Sequence, residues 1–167
     1  MGERMMAAGI AEAATLLRDF RFVDPWWGGA AFVPCWGAEL DVCIDPDEGA
    51  ITPRQLGILR ALLDYPHDLR PEFERALFEY YQAEVDGTYC SYDEFAKPIP
   101  GSGPPKLTEP SQVWPLIDGP TVYIKPFFRT PSAVEFELSF NCEWDPEHGL
   151  GVLYQDWRPV EFGGWDF

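Results

Sequence analysis

Histidine is nearly absent from this chain, and cysteine is sparse and scattered. Only His67 and His148 occur, and Cys35, Cys43, Cys90 and Cys142 form no Cys-x-x-Cys pair. Structural zinc sites and thioredoxin-like redox motifs rest on such pairs, so neither is signalled. Long apolar runs are missing as well. No stretch approaches the ~20 residues that a membrane-spanning helix needs. The apolar run from Met5 to Ala11 ends at Glu12, which is too short for a secretory signal. The expected setting is therefore the cytoplasm, with reduced thiols.

Positive charge is the third shortage. The net charge is −16, so the basic footprint that DNA or RNA binding requires is lacking, and anionic membrane surfaces are disfavoured for the same reason. The deficit is patterned. No Lys or Arg falls between Arg21 and Arg54, where Asp24, Glu39, Asp41, Asp45, Asp47 and Glu48 sit. After Arg129 the only base is Arg158, against eight acids. Such patterning favours an acidic face able to steer a basic partner, and it equally suits a protein kept soluble by its charge.

What the chain does have is an apolar content of 46% and an aromatic content of 16% over 167 residues, enough for one domain with a real core. The clearest element is the stretch Val134-Glu-Phe-Glu-Leu-Ser-Phe-Asn-Cys-Glu-Trp144, which alternates apolar and polar residues. Alternation at period two predicts a strand with one buried and one wet face, the wet face carrying Glu135, Glu137 and Glu143. Residues 39 to 45 repeat the pattern, with Leu40, Val42 and Ile44 inward and Glu39, Asp41, Cys43 and Asp45 outward. Further strands are expected at 113–117, 121–125, 150–154 and 160–162.

Helices are expected over residues 3–19, from Thr52 to about Tyr65, and from about Leu69 to Val85. The second begins with a capping signature, Thr52-Pro-Arg-Gln55, and the second and third form a helical hairpin. Residues 20–36, rich in Gly, Pro and aromatics, read as a loop in which Phe32 and Val33 begin a strand. Residues 86–112 are irregular, with a Pro/Gly-rich surface loop at 97–106. The whole is expected to be one α+β domain. Residues 1–36 supply an N-terminal helix and an aromatic loop. Residues 37–167 form a body in which a mostly antiparallel sheet carries the helical hairpin on one face.

Candidate chemistry is thin. Asp145-Pro-Glu147-His148-Gly149 gathers two carboxylates and an imidazole, which admits a metal-dependent enzyme. A metal site normally needs three or four converging ligands, and the same residues make a tight turn: Pro fixes φ, Gly takes the left-handed conformation, and Asp bonds the backbone ahead. A Cys142–His148 nucleophile pair is unattractive because Cys142 lies with the core face. Asp45-x-Asp47-x-Gly49 lacks the glycine and glutamate spacing of a calcium loop. No catalytic residue, metal or cofactor is expected. Trp26, Trp27 and Trp165 are candidate aromatic anchors of an interface.

The turn Trp144-Asp-Pro-Glu147-His148-Gly149, running into Gly151-Val152, resembles the signature of a bacterial family of small uncharacterised proteins. The likeness covers residues 37 to 162, and its specific part is this turn. Some members resemble toxin-immunity proteins. The resemblance implies an inhibitor role. Joined to the charge pattern, the expectation is a non-enzymatic inhibitor of a basic toxin, with Glu39, Asp41, Asp45, Glu135, Glu137 and Glu143 as its acidic contact face; the alternatives are the metal-dependent enzyme of the Asp145/Glu147/His148 turn and a structural or adaptor domain. The resemblance carries over no catalytic residues and leaves the oligomeric state open.

Overall fold

A computed structural model describes residues 2–86, 88–127, 129–131 and 133–164, with side chains from Ala8 onward. The chain starts with helix α1 (Gly2–Leu16) and continues through strands β1 (Arg18–Val23), β2 (Trp26–Val33) and β3 (Ala38–Ile44). Helices α2 (Pro53–Asp64) and α3 (Arg70–Tyr80) follow, and α3 runs on into a π-helical turn, Tyr81–Val85. After the irregular segment come a 3-10 helix (Pro110–Leu116) and strands β4 (Ile117–Ile124), β5 (Glu135–Cys142), β6 (Leu150–Gln155) and β7 (Arg158–Gly163). No helix among the described residues is long and apolar enough to cross a membrane.

The seven strands form one sheet in chain order. Neighbours are antiparallel except β3 and β4, which run parallel. A parallel pair cannot be joined by a tight turn and needs a long crossover. That crossover holds α2, α3 and the 3-10 helix, so one connection delivers the helical hairpin to one face of the sheet. The expected α+β architecture is the observed one. A single core joins Leu40, Val42 and Ile44 of β3, Phe136, Leu138 and Phe140 of β5, and Leu59, Leu62, Phe73 and Leu77 of the hairpin. Ala13 and Leu17 bring the N-terminal helix into the same cluster.

The capping signature forms as read. Gln55 N donates to Thr52 Oγ1, and Gln55 Oε1 accepts from Thr52 N at 2.9 Å. Gln55 is fully buried, and its Nε2 donates to the carbonyls of Asp45 and Ile124. One side chain therefore caps α2 and ties its start to the ends of β3 and β4.

Three readings are corrected. Residues 20–36 are not a loop: β1 and β2 form a hairpin there. Glycine normally weakens a strand, but here it permits close approach. A Cβ on Gly29 would lie 2.7 Å from the Arg18 carbonyl oxygen and 2.9 Å from Leu17 Cβ. The first helix accordingly ends at Leu16, not at residue 19. Residues 113–116 are 3-10 helix and not strand, because Gln112 bonds back to Glu109 and opens that helix, and only Ile117 belongs to β4. Asp118-Gly119 is then not a turn but an irregularity inside β4.

The third correction concerns β5, whose two faces are both buried over most of its length. Glu135 is 5% exposed and Glu137 only 3%. Clean alternation correctly predicts the strand and its apolar face. It says nothing about what covers the other face, and β5 lies inside the sheet with chain packed on that side.

Candidate functional site

Pairing register defines the face of the sheet turned away from the helices. One row across it runs Gly28, Cys43, Tyr123, Glu137, Leu153 and Glu161. The next row runs Ala30, Asp41, Thr121, Ser139, Gly151 and Gly163, all short side chains. The two rows together form a trough beside a ridge.

The face divides in two. Over Glu135, Glu137 and Leu153 it is closed. Glu135 accepts from the backbone N–H of Arg129 at 3.0 Å and from Gln155 Nε2 at 2.9 Å. Glu137 pairs with Lys125 Nζ at 2.7 Å. Arg129 reaches across to Glu161 and completes the cover. Burial pushes the Glu137 carboxyl up, against the pull of Lys125 and Arg129. Its Oε1 makes no hydrogen bond among the described residues. These two carboxylates hold structure and are not available as a wet surface.

Over β1–β4 the face is open. A cavity of about 480 Å³ lies between the β1–β2 hairpin and β3–β4. Gly28 and Ala30 keep its floor low, while Asp19, Asp24 and Asp41 stand around it. Its wall is an aromatic pair, Trp26 and Tyr123, with ring centroids 4.7 Å apart and planes at 80°. The pairing shift between Arg18 and Arg21 bends β1 here, with Asp19 at φ 54°. A second cavity of about 320 Å³ shares Thr121 and Tyr123 and extends to Asn141, Glu147 and His148.

The candidate acids fare unequally. Asp41 is exposed on the open face. Glu39 is exposed and bonded to Arg18. Asp45 is half-buried, and desolvation followed by the nearby Asp47 raises its carboxyl, with Lys125 opposing. Glu143 is exposed beyond the end of β5, where its N–H donates to the Leu116 carbonyl. The aromatic anchors separate too. Trp26 lies on the open face, whereas Trp27, opposite Ile44 in register, stacks on Phe20 on the helix side. Trp165 lies outside the described residues.

The signature turn is built as a turn. Asp145 Oδ1 accepts from His148 N–H at 3.2 Å and lies 2.9 Å from His148 Nδ1. Gly149 has φ 66°, and its N–H donates to the Asp145 carbonyl at 2.8 Å. Trp144 is buried edge-on against Tyr81. Among the described residues no three His, Cys, Asp or Glu side chains are grouped as metal ligands. Three of the thiols, Cys35, Cys43 and Cys142, are shifted toward the protonated form. Burial raises Cys142 and Cys35 to about 11, and burial with Asp41 raises Cys43. Burial, then Cys43, pushes the Tyr123 hydroxyl to about 12.

Sequence reasoning missed Asp19, Asp24, Thr121 and Tyr123. Asp19 fell at the end of the segment read as helix, and Asp24 in the segment read as loop. Alternation in 121–125 does mark Thr121 and Tyr123 as sharing one face, but the partner strands that make that face a site are invisible in one segment.

The fold and the site thus define an α+β protein on a mostly antiparallel sheet, with one face covered by helices and the other half open. Residues 16–167 match the model of a family described as Domain of unknown function (DUF6985), and the chain belongs to that family. No curated protein and no solved structure matches it.

Proposed function

We propose that this chain is a non-enzymatic, acidic protein-binding module of the cytoplasm whose partner is a basic protein, as in an immunity protein that inhibits a toxin. The observation that carries this reading is the open half of the second sheet face. There Asp19, Asp24 and Asp41 flank a half-buried aromatic pair in a chain of net charge −16. Acids steer a basic partner into encounter, and desolvated aromatics hold it once docked. The contact face so defined drops Glu135 and Glu137, keeps Asp41, and adds Asp19 and Asp24. Three thiols shifted toward the protonated form and a histidine engaged by its own turn give a reaction little to work with.

The test is a binding titration against the products of the neighbouring genes, basic ones first, at about 0.05 M and about 0.5 M salt. Screening shortens the reach of surface charge from roughly 14 Å to roughly 4 Å over that range. Affinity is expected to fall at least tenfold, and to fall further in the charge reversal Asp41→Lys. Affinity unchanged by both salt and Asp41→Lys would overturn the proposal.

A further inference from the structure

We infer that the cavity between the β1–β2 hairpin and β3–β4 is a receptor for one arginine or lysine side chain of the partner. This rests on the reading above and names the contact at its centre. Three features converge on a cation. The cavity, about 480 Å³, lies within the range of small-ligand pockets and exceeds what a single basic side chain fills. Its wall is the Trp26–Tyr123 pair, and a cation within about 6 Å of an aromatic centroid is attracted to the ring face. Around it stand Asp19, Asp24 and Asp41 against one base, Arg21. Among the described residues Asp24 and Asp41 take no ion-pair partner from their own chain, whereas Asp19 and Glu39 both take Arg18.

The floor fits the same occupant. Gly28 and Ala30 leave the backbone of β2 open to a long, thin side chain, and Thr121 and Tyr123 add hydroxyls beside it. An anionic ligand would meet three carboxylates. A purely apolar one would strip water from them without return. A guanidinium or ammonium on an aliphatic stem satisfies both the rings and the acids. Arginine suits best, because its planar group stacks on a ring while donating to a carboxylate.

The test uses the full chain and a capped tetra-arginine peptide as probe, followed by amide and indole chemical shifts. Shifts centred on the Trp26 indole and the amides of residues 28–30 and 41–43 are expected. Affinity should drop on the order of tenfold in Trp26→Ala and several-fold in Asp41→Asn, with a tetra-glutamate peptide inert. Asp41 is exposed, so Asp41→Asn keeps the test valid even if Trp26→Ala fails to fold. Shifts spread over other acidic surface, unaffected by Asp41→Asn, would overturn the pocket and leave the acidic-binding reading standing. No binding of tetra-arginine at low salt would overturn both.

Discussion

Glu137 makes the cost of a buried acid concrete. It is 3% exposed, pairs with Lys125 at 2.7 Å, and among the described residues leaves Oε1 without a hydrogen bond. Burial raises its carboxyl above the ordinary 4.5 in the folded chain. A raised folded value means that the native state holds the proton when the unfolded state has released it. This group's contribution is therefore fully present below about pH 4.5 and is lost as pH climbs through its folded value. Asp45, also raised by desolvation, acts with the same sign from its own ordinary value of 3.8. Glu137→Gln removes the first of these losses. Its melting temperature relative to the unaltered chain should rise between pH 4 and pH 7, followed by calorimetry. A difference that stays flat or falls would contradict the assigned burial. Residues of this kind were only half legible in the sequence. The period of two located Glu135 and Glu137 on the strand and on the face opposite Phe136 and Leu138. Their burial depends on Arg129, Gln155 and Lys125 arriving from elsewhere, which no local pattern encodes.

At the scale of elements, the most local signals proved the most legible. Thr52-Pro-Arg-Gln55 announced a helix start, because a capping box closes its hydrogen bonds within four residues. Thr52→Ala removes one of the two reciprocal bonds and should cost about 1 kcal/mol, read as a fall of roughly 2–4 °C in Tm. The signature turn was legible for the same reason. Gly149 sits at φ 66°, and a Cβ there would lie 2.6 Å from the Phe140 carbonyl oxygen. Gly149→Ala therefore combines left-handed strain with a backbone clash and should cost roughly 1–3 kcal/mol. A Tm within 1 °C of the unaltered chain would show that the turn is not held as described. The β1–β2 hairpin escaped detection because its evidence is long-range. Gly28, Gly29, Ala30 and Ala31 show no alternation of polarity, and Gly29 is explained only by the backbone of Arg18 pressing on it. With that hairpin went half of the open face, including Asp19, Asp24 and the position of Trp26.

Over the whole molecule, one parallel pair in an otherwise antiparallel sheet organises everything else. The crossover from β3 to β4 places α2 and α3 on one face, and the other face is left to short connections. The connection between β4 and β5 covers Glu135 and Glu137 and stops short of β2 and β3. The charge pattern read from composition thus acquires a place. The base-free stretch from residue 22 to residue 53 contributes Asp24 and Asp41 to the open cavity, and the acids after Arg129 are divided between buried pairs and distant surface. In the proposed function, association runs through the open acidic half of this face. The most direct measurement is the affinity of the full chain for the basic partner proposed above at low and high salt, with Asp41→Lys beside Glu143→Lys. The account predicts at least a tenfold loss with salt and a clear loss in Asp41→Lys, while Glu143→Lys, beyond the end of β5, stays close to the unaltered chain. Equal effects of the two reversals, or affinity indifferent to salt, would contradict it.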